Sequence, residues 1–453
     1  MRQNFIVAVL TSALAIGSCL PPLAARAQEP PPVVSAVDVL QAARTLWQQL
    51  QDQVNAAQAK PHKAVVVGSL SAPLTITLGL WDDTAGTYEL VQVRKAGKNI
   101  TTLGKSPHQF TLKRSNGVNS EFQVVGEPNL HVLAVTYPVL TSIGTTRHPK
   151  YRVDDVAYVP YTAYLNRSEI VAAGRAYLDR NVSAVYDELT ALGVRSRAFP
   201  DRSLAVTVSP EVVKAILAIE HIGGQGIAAD NVDDYLNVFH VTLAANQNLA
   251  FAYARSTASA RGLVQFIRGT YLGLARSRPA LGLNLNFEQG MADPYNAIKA
   301  EVALLDLSLT SLPAEARTRN LNDEGAIGAY LAAAYNGGTV RVRRAIRQWG
   351  EAWAEDHTKA LVSLKSQLAT AKLQLKAKQR ALKAATTVKA RRPLQQATSD
   401  LQAKVTSLTQ QYTLGSAAKL KAETVQYVAK FKVVYAYFAG PLHEATVPTI
   451  PAS

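Results

Sequence analysis

Glu220 has the strongest claim to chemistry in this chain of 453 residues. It closes a run of apolar residues at helical spacing: Val212, Val213, Ile216, Leu217 and Ile219. A carboxyl packed against such a face has its charged form disfavoured. Its pKa then rises towards the range in which it can donate a proton near neutrality. A lone Glu at a helix end is more often a surface charge. The segment after it carries Gly223, Gly224 and Gly226, then Asp230, Asp233 and Asp234. These acids read first as helix-capping residues before Val232–Tyr235, and second as a source of another carboxylate. The 8 His are scattered without ligand spacing, and the single Cys excludes both a Cys-based zinc site and an internal disulfide framework. No metal or cofactor is expected.

Four segments follow Glu220 in a telling order. The first is Ser256-Thr257-Ala258-Ser259-Ala260-Arg261-Gly262-Leu263-Val264-Gln265-Phe266-Ile267-Arg268-Gly269-Thr270. The others are Asp293-Pro294-Tyr295-Asn296-Ala297-Ile298, Ala333-Ala334-Tyr335-Asn336-Gly337-Gly338, and Glu423-Thr424-Val425-Gln426-Tyr427-Val428. Together they resemble the motifs of lytic transglycosylases of the soluble-lytic-transglycosylase (SLT) type, in the lysozyme-like superfamily and akin to goose-type lysozyme. The resemblance covers about residues 205–350 and 417–440.

The resemblance implies an enzyme that cleaves the β-1,4 bond between N-acetylmuramic acid and N-acetylglucosamine in peptidoglycan. Glu220 would act as both acid and base, and the product would be a 1,6-anhydro sugar. Gln265, Tyr335, Asn336 and Tyr427 fall on family positions that line the substrate cleft. For the two tyrosines, packing with a structural hydroxyl is the competing reading. Leu263 and Phe266 are expected to pack beneath the site. The chain departs from the family pattern at His221, where Ser is usual, and at Arg268, where Pro is usual. The stretch 221–255 is also longer than expected and reads as a lid or an extra groove wall. If one of its Asp residues positions a water, the protein is instead a hydrolytic muramidase. A third reading is a catalytically quiet peptidoglycan-binding scaffold.

The elements that must position these residues divide the chain. Residues 1–27 read as an export signal: Arg2, an apolar stretch from Phe5 to Gly17, and a small-residue site at Ala25-Arg26-Ala27. Ile16-Gly17-Ser18-Cys19 resembles a bacterial lipobox, so a lipoprotein anchored through Cys19 is the rival. The protein is therefore expected outside the cytoplasm, periplasmic or extracellular. Residues 28–62 read as a Pro-rich linker and a helix with Val37, Leu40, Leu46, Leu50 and Val54 on one face. Residues 63–160 form β-rich runs, among them Ala64–Val67, Leu74–Leu78, Tyr88–Val93 and His131–Val135, with turn chemistry at Asp82, Asp83 and Gly86. Nothing there has catalytic spacing, and the region reads as structural. Residues 161–204 read as a helical connector and 441–453 as a tail. The fold class is α+β: an N-terminal β-containing domain and an α-helical lysozyme-like domain, interrupted by a helical hairpin.

That hairpin, residues 351–416, is read from two arms. Leu361, Leu364, Leu368, Ala371, Leu375 and Leu382 keep a three-four spacing, and Leu394, Leu401, Val405, Leu408 and Tyr412 repeat it. The spacing predicts antiparallel arms with coiled-coil packing, each about 25–35 Å long, with Pro393 breaking the helix between them. Residues 359–411 carry eleven Lys/Arg and one acid, Asp400, against a whole-chain balance of 48 Lys+Arg to 33 Asp+Glu. Such one-signed charge reads either as a solvated coiled-coil face or as a binding face for an anionic wall, membrane or protein partner, rather than for nucleic acid given the export signal.

Overall fold

The computed structural model describes residues 34–58, 73–142, 151–223, 227–319 and 323–440. Residues 1–27, expected to be an export signal, lie outside the described residues, as do the apolar run Ala64–Val67, Gly224, Gly226 and the tail 441–453.

Helix α1 (Ala36–Gln58) precedes seven strands: β1 (Leu74–Asp82), β2 (Thr87–Ala96), β3 (Asn99–Thr102), β4 (Phe110–Arg114), β5 (Glu121–Val124), β6 (Leu130–Ser142) and β7 (Tyr151–Tyr158). Five of them form an antiparallel sheet in the order β3-β2-β1-β6-β7, and β4 and β5 pair as a separate ribbon. The period-2 alternation of β1 sends Ile76, Leu78 and Leu80 into a core shared with Val91, Val93, Phe110, Phe122 and Val135. Its other face receives α1. A side chain at Gly79 would come within 3.2 Å of Leu46. Trp47 Nε1 donates to the Ala157 carbonyl at 3.1 Å, tying α1 to the far edge of the sheet. Val37 does not join the buried stripe of α1, which runs from Ala36 through Leu40, Leu46 and Leu50 to Val54; about 100° round the helix from Ala36, it faces away and is 49% exposed.

The rest is helical: α2 (Ser168–Ala191), α3 (Pro210–His221), α4 (Val232–Asn246), α5 (Arg268–Ser277), α6 (Phe287–Ala292), α7 (Pro294–Leu309), α8 (Ala314–Arg319), α9 (Glu324–Gly337), α10 (Thr339–Trp349), α11 (Thr358–Ala384), α12 (Val388–Ala418) and α13 (Ala422–Ala439). Ser209 opens α3, its hydroxyl accepting from the Val212 amide at 3.4 Å, with Pro210 at the first helical position. Every residue from Ala215 to Ile219 is buried, because α2, α4, α7, α9 and α13 all pack on this helix. The stretch expected to be a connector thus contributes α2, which packs along α4 and α7.

Sheet and helices are locked together by buried hydrogen bonds at the end of β7. Asn246 on α4 takes the Val159 amide on Oδ1 at 3.0 Å and gives Nδ2 to the Val159 carbonyl at 2.8 Å. Asn119, in the turn before β5, donates to Thr242 Oγ1 at 3.3 Å and accepts from the Tyr161 amide at 2.7 Å. A side chain that replaces both backbone partners this way tolerates little displacement.

Helices α11 and α12 pack through Leu364, Leu368, Ala371 and Leu375 against Leu401, Val405 and Leu408. They are longer than the sequence suggested. At 1.5 Å per residue, 27 and 31 residues span about 40 and 46 Å. Pro393 does not break the arm. It lies inside α12, and the turn is only residues 385–387, closed by Thr387 capping Ala390 at 3.3 Å. A proline one and a half turns into an exposed helix removes one backbone bond where solvent can replace it. Among the described residues no helix is long and apolar enough to cross a membrane.

Candidate active site

Glu220 opens onto a cavity of about 660 Å³. One side is helical-domain structure: Glu220, His221, Phe251, Tyr253, Arg255, Arg261 and Gln265. The other side is sheet: Tyr137 to Thr141 of β6, and Arg152, Asp154 and Val156 of β7. The β-region, read from sequence as having no part in chemistry, therefore walls the cleft. No local spacing could reveal this, because the contact is made across the Asn246 and Asn119 lock.

Helix α13 brings Tyr427 to Glu220 from more than two hundred residues away in the sequence. Its hydroxyl donates to Glu220 Oε1 at 2.6 Å. Burial pushes the Glu220 pKa up to about 7, and the neighbouring Glu423 adds to this; the Tyr427 hydrogen bond and Lys430 oppose it. Burial also holds the Tyr427 and Tyr335 phenols well above their ordinary value, so both are neutral donors.

The remaining expected site residues divide between cleft and support. Gln265 lines the cavity, held at φ +49° with its Nε2 donating to the Gly262 carbonyl at 2.8 Å. That left-handed backbone is uncommon for a residue with a side chain and marks a local constraint. Gly262 makes the turn feasible. Its φ is +73°, and a Cβ there would lie 2.1 Å from the Met291 carbonyl. Tyr335 reaches the Val264 carbonyl with its hydroxyl, bracing the same loop from below. Asn336 sits on the seam between α9 and α13, accepting from Thr424 Oγ1 at 2.8 Å and lying 3.5 Å from Glu423. So Glu220, Gln265 and Tyr427 come together, while Tyr335 and Asn336 hold the elements that carry them. Leu263 and Phe266 are buried beneath.

His221, at the position where the family pattern has Ser, turns away from proton chemistry. It stacks on Phe251 with ring centroids 3.9 Å apart, and its Nε2 donates to the Leu263 carbonyl at 2.7 Å. Burial lowers its pKa to about 4, so it is neutral and serves as a brace. Arg268 does not reach the cavity; it lies over Phe287 and pairs with Glu288 at 3.6 Å. Asp230, Asp233 and Asp234 do not line the cavity either. Asp233 and Asp234 occupy the first turn of α4, where the helix dipole favours them.

One residue escaped sequence reasoning. Glu301 on α7 is fully buried, and neither carboxyl oxygen has a partner among the described residues. Burial first, and then the nearby Glu220, push its pKa well above the ordinary value and so favour its neutral form. The signal was slight: between Ala297 and Ala303 only Lys299 and Glu301 are charged, in a helix otherwise apolar at these positions.

Chemically, the site offers the Glu220 carboxyl with a neutral phenol on one oxygen, in a groove walled by helices and by a sheet that presents Asp154. No curated protein and no solved structure matches the chain. A family model does, over residues 249–357, and its description is "Transglycosylase SLT domain". The matched stretch contains Gln265, Tyr335 and Asn336, while Glu220 and Tyr427 lie outside it and are brought to it by α3 and α13. Residues 249–357 are thus a transglycosylase SLT domain, of the lysozyme-like lytic transglycosylase family, whose members act on peptidoglycan.

Proposed function

We propose that this protein is an exported peptidoglycan lytic transglycosylase with Glu220 as its single acid/base. The observation that carries the reading is the Glu220 carboxyl itself, with its pKa near 7 and Tyr427 donating to Oε1 at 2.6 Å. A group with that pKa is present in both protonation states at neutral pH, as a residue that must alternate between acid and base requires.

The steps follow from that carboxyl. Protonated Glu220 gives its proton to the oxygen joining C1 of N-acetylmuramic acid to N-acetylglucosamine, and the C1–O bond breaks. Tyr427 then holds the resulting carboxylate through one oxygen and leaves the other towards the sugar. The carboxylate takes the proton of the muramoyl C6 hydroxyl as that oxygen bonds to C1. A 1,6-anhydro ring results, no water is consumed, and Glu220 ends protonated. Gln265, on the cavity lining, is placed to hold sugar polar groups. The groove would be built by residues 205–350 and 417–440, with the β-region 63–160 as its far wall and the hairpin interrupting the sequence between the two parts. An exported location, periplasmic or extracellular, fits the signal at 1–27 and the substrate class.

A second reading has one observation in its favour. Asp154 lines the same cavity from β7, with Arg152 Nε bonded to its Oδ1 at 2.6 Å. A carboxylate across the cleft is what a water-activating muramidase requires. Mass spectrometry of fragments released from purified sacculi separates the two. Anhydro-muramoyl ends from the wild type, and none from Glu220→Gln, support the transglycosylase; reducing ends would mean the hydrolase.

A further inference from the structure

The α11–α12 hairpin has no role in the cleft, and its charge is unevenly placed. All eleven of its Lys and Arg residues are exposed. Seven of them, Lys376, Lys378, Arg380, Lys383, Lys389, Arg391 and Arg392, fall between residues 376 and 392, where there is no acid. From the helix rise, these seven lie within about 12 Å of the helix ends, Ala384 and Val388, that flank the turn. Lys372 lies about 18 Å back, Lys404 about 24 Å, Lys365 about 28 Å and Lys359 about 38 Å. Val388 stands at the turn, 83% exposed.

We infer that the tip of this hairpin docks on an anionic lipid surface. The charge distribution selects the partner class. A polymer strand lying along the rod would be matched by cations spread along its length. A flat surface is reached only by the end of the rod. At physiological salt, charges more than about 8–10 Å from that surface are screened. Seven cations with no acid among them lie near that range, and four lie beyond it. Val388 adds a small apolar contact at the headgroup boundary. The rod of about 40 Å then holds the body of the protein off the membrane. This inference is independent of the reading of Glu220.

The test is flotation of the full chain with phosphatidylcholine vesicles, with and without phosphatidylglycerol, across a salt series. Each Lys or Arg within a Debye length strengthens binding to an anionic surface by about fivefold. A tip triple, Lys383→Gln/Lys389→Gln/Arg392→Gln, is expected to lose about 100-fold in affinity. Arg391 is spared because its Nε bonds the Ala385 carbonyl at 2.9 Å and closes the turn. A base triple, Lys359→Gln/Lys365→Gln/Lys372→Gln, removes the same charge and is expected to change binding by less than about threefold. A Lys383→Arg/Lys389→Arg variant should bind as the wild type does. Equal losses from the tip and base triples would overturn the inference. So would salt-insensitive binding, or capture by sacculi with no binding to anionic vesicles, which would assign the hairpin to wall polymer.

Discussion

Glu220→Gln should make the protein more stable, and more so as pH rises. The Glu220 pKa is near 7 in the folded chain, against an ordinary 4.5. Its carboxyl is therefore harder to ionise folded than unfolded. The sign follows from linkage. Below pH 4.5 both states are protonated and the group contributes no penalty. Between 4.5 and about 7 the unfolded chain ionises while the folded one does not, and stability falls. Above 7 the loss is complete. The gap of 7 − 4.5 is 2.5 units, which at 1.36 kcal/mol per unit is about 3 kcal/mol. Gln has no proton to exchange, and its amide oxygen can still accept from Tyr427. Urea unfolding of both proteins at about pH 4 and about pH 8 gives the difference directly. The variant should gain about 3 kcal/mol over the wild type between the two. Glu301, relieved of a charged neighbour in the variant, acts in the same direction. A stability difference that does not change with pH would refute the argument that Glu220 is held neutral by burial.

Three other perturbations follow from the same geometry. Tyr427→Phe removes a hydrogen bond that favours the ionised Glu220, worth about 1.5–3 kcal/mol for a charged acceptor. The falling limb of the activity–pH profile, set by the need for protonated Glu220, should then move up by about one to two units, and an unmoved limb would contradict the assignment. Asp154→Asn should leave the anhydro product unchanged and reduce turnover by less than about tenfold, since in this account it only shapes the far wall; a loss of 10² or more would favour the hydrolase. Gly262→Ala puts a methyl 2.1 Å from the Met291 carbonyl at φ +73°, so thermal melting should show at least about 2 kcal/mol of destabilisation, with Gln265 displaced and activity lost.

The helical side of the site could be read from the sequence because its signals are local. Ser209-Pro210-Glu211 and the apolar face behind Glu220 define α3 without help from the rest of the chain. The Leu and Ala spacing of residues 361–375 likewise marks the seam of the hairpin. What escaped notice depends on contacts between distant segments. The Asp154 wall is set by Asn246 and Asn119 bonding the sheet to α4, and neither Asn stands in a pattern. Pro393 misled because a helix tolerates proline near its start when the carbonyl it orphans faces water. Val37 misled because, one residue on from buried Ala36, it is turned about 100° off the stripe that meets the sheet.

The most direct test of the central claim is digestion of purified sacculi in water enriched in oxygen-18, with the released muramoyl ends examined by mass spectrometry. If Glu220 delivers the C6 hydroxyl to C1, the ends form without water and carry no label, and Glu220→Gln yields no fragments. Labelled reducing ends from the wild type would contradict the account and make water the nucleophile.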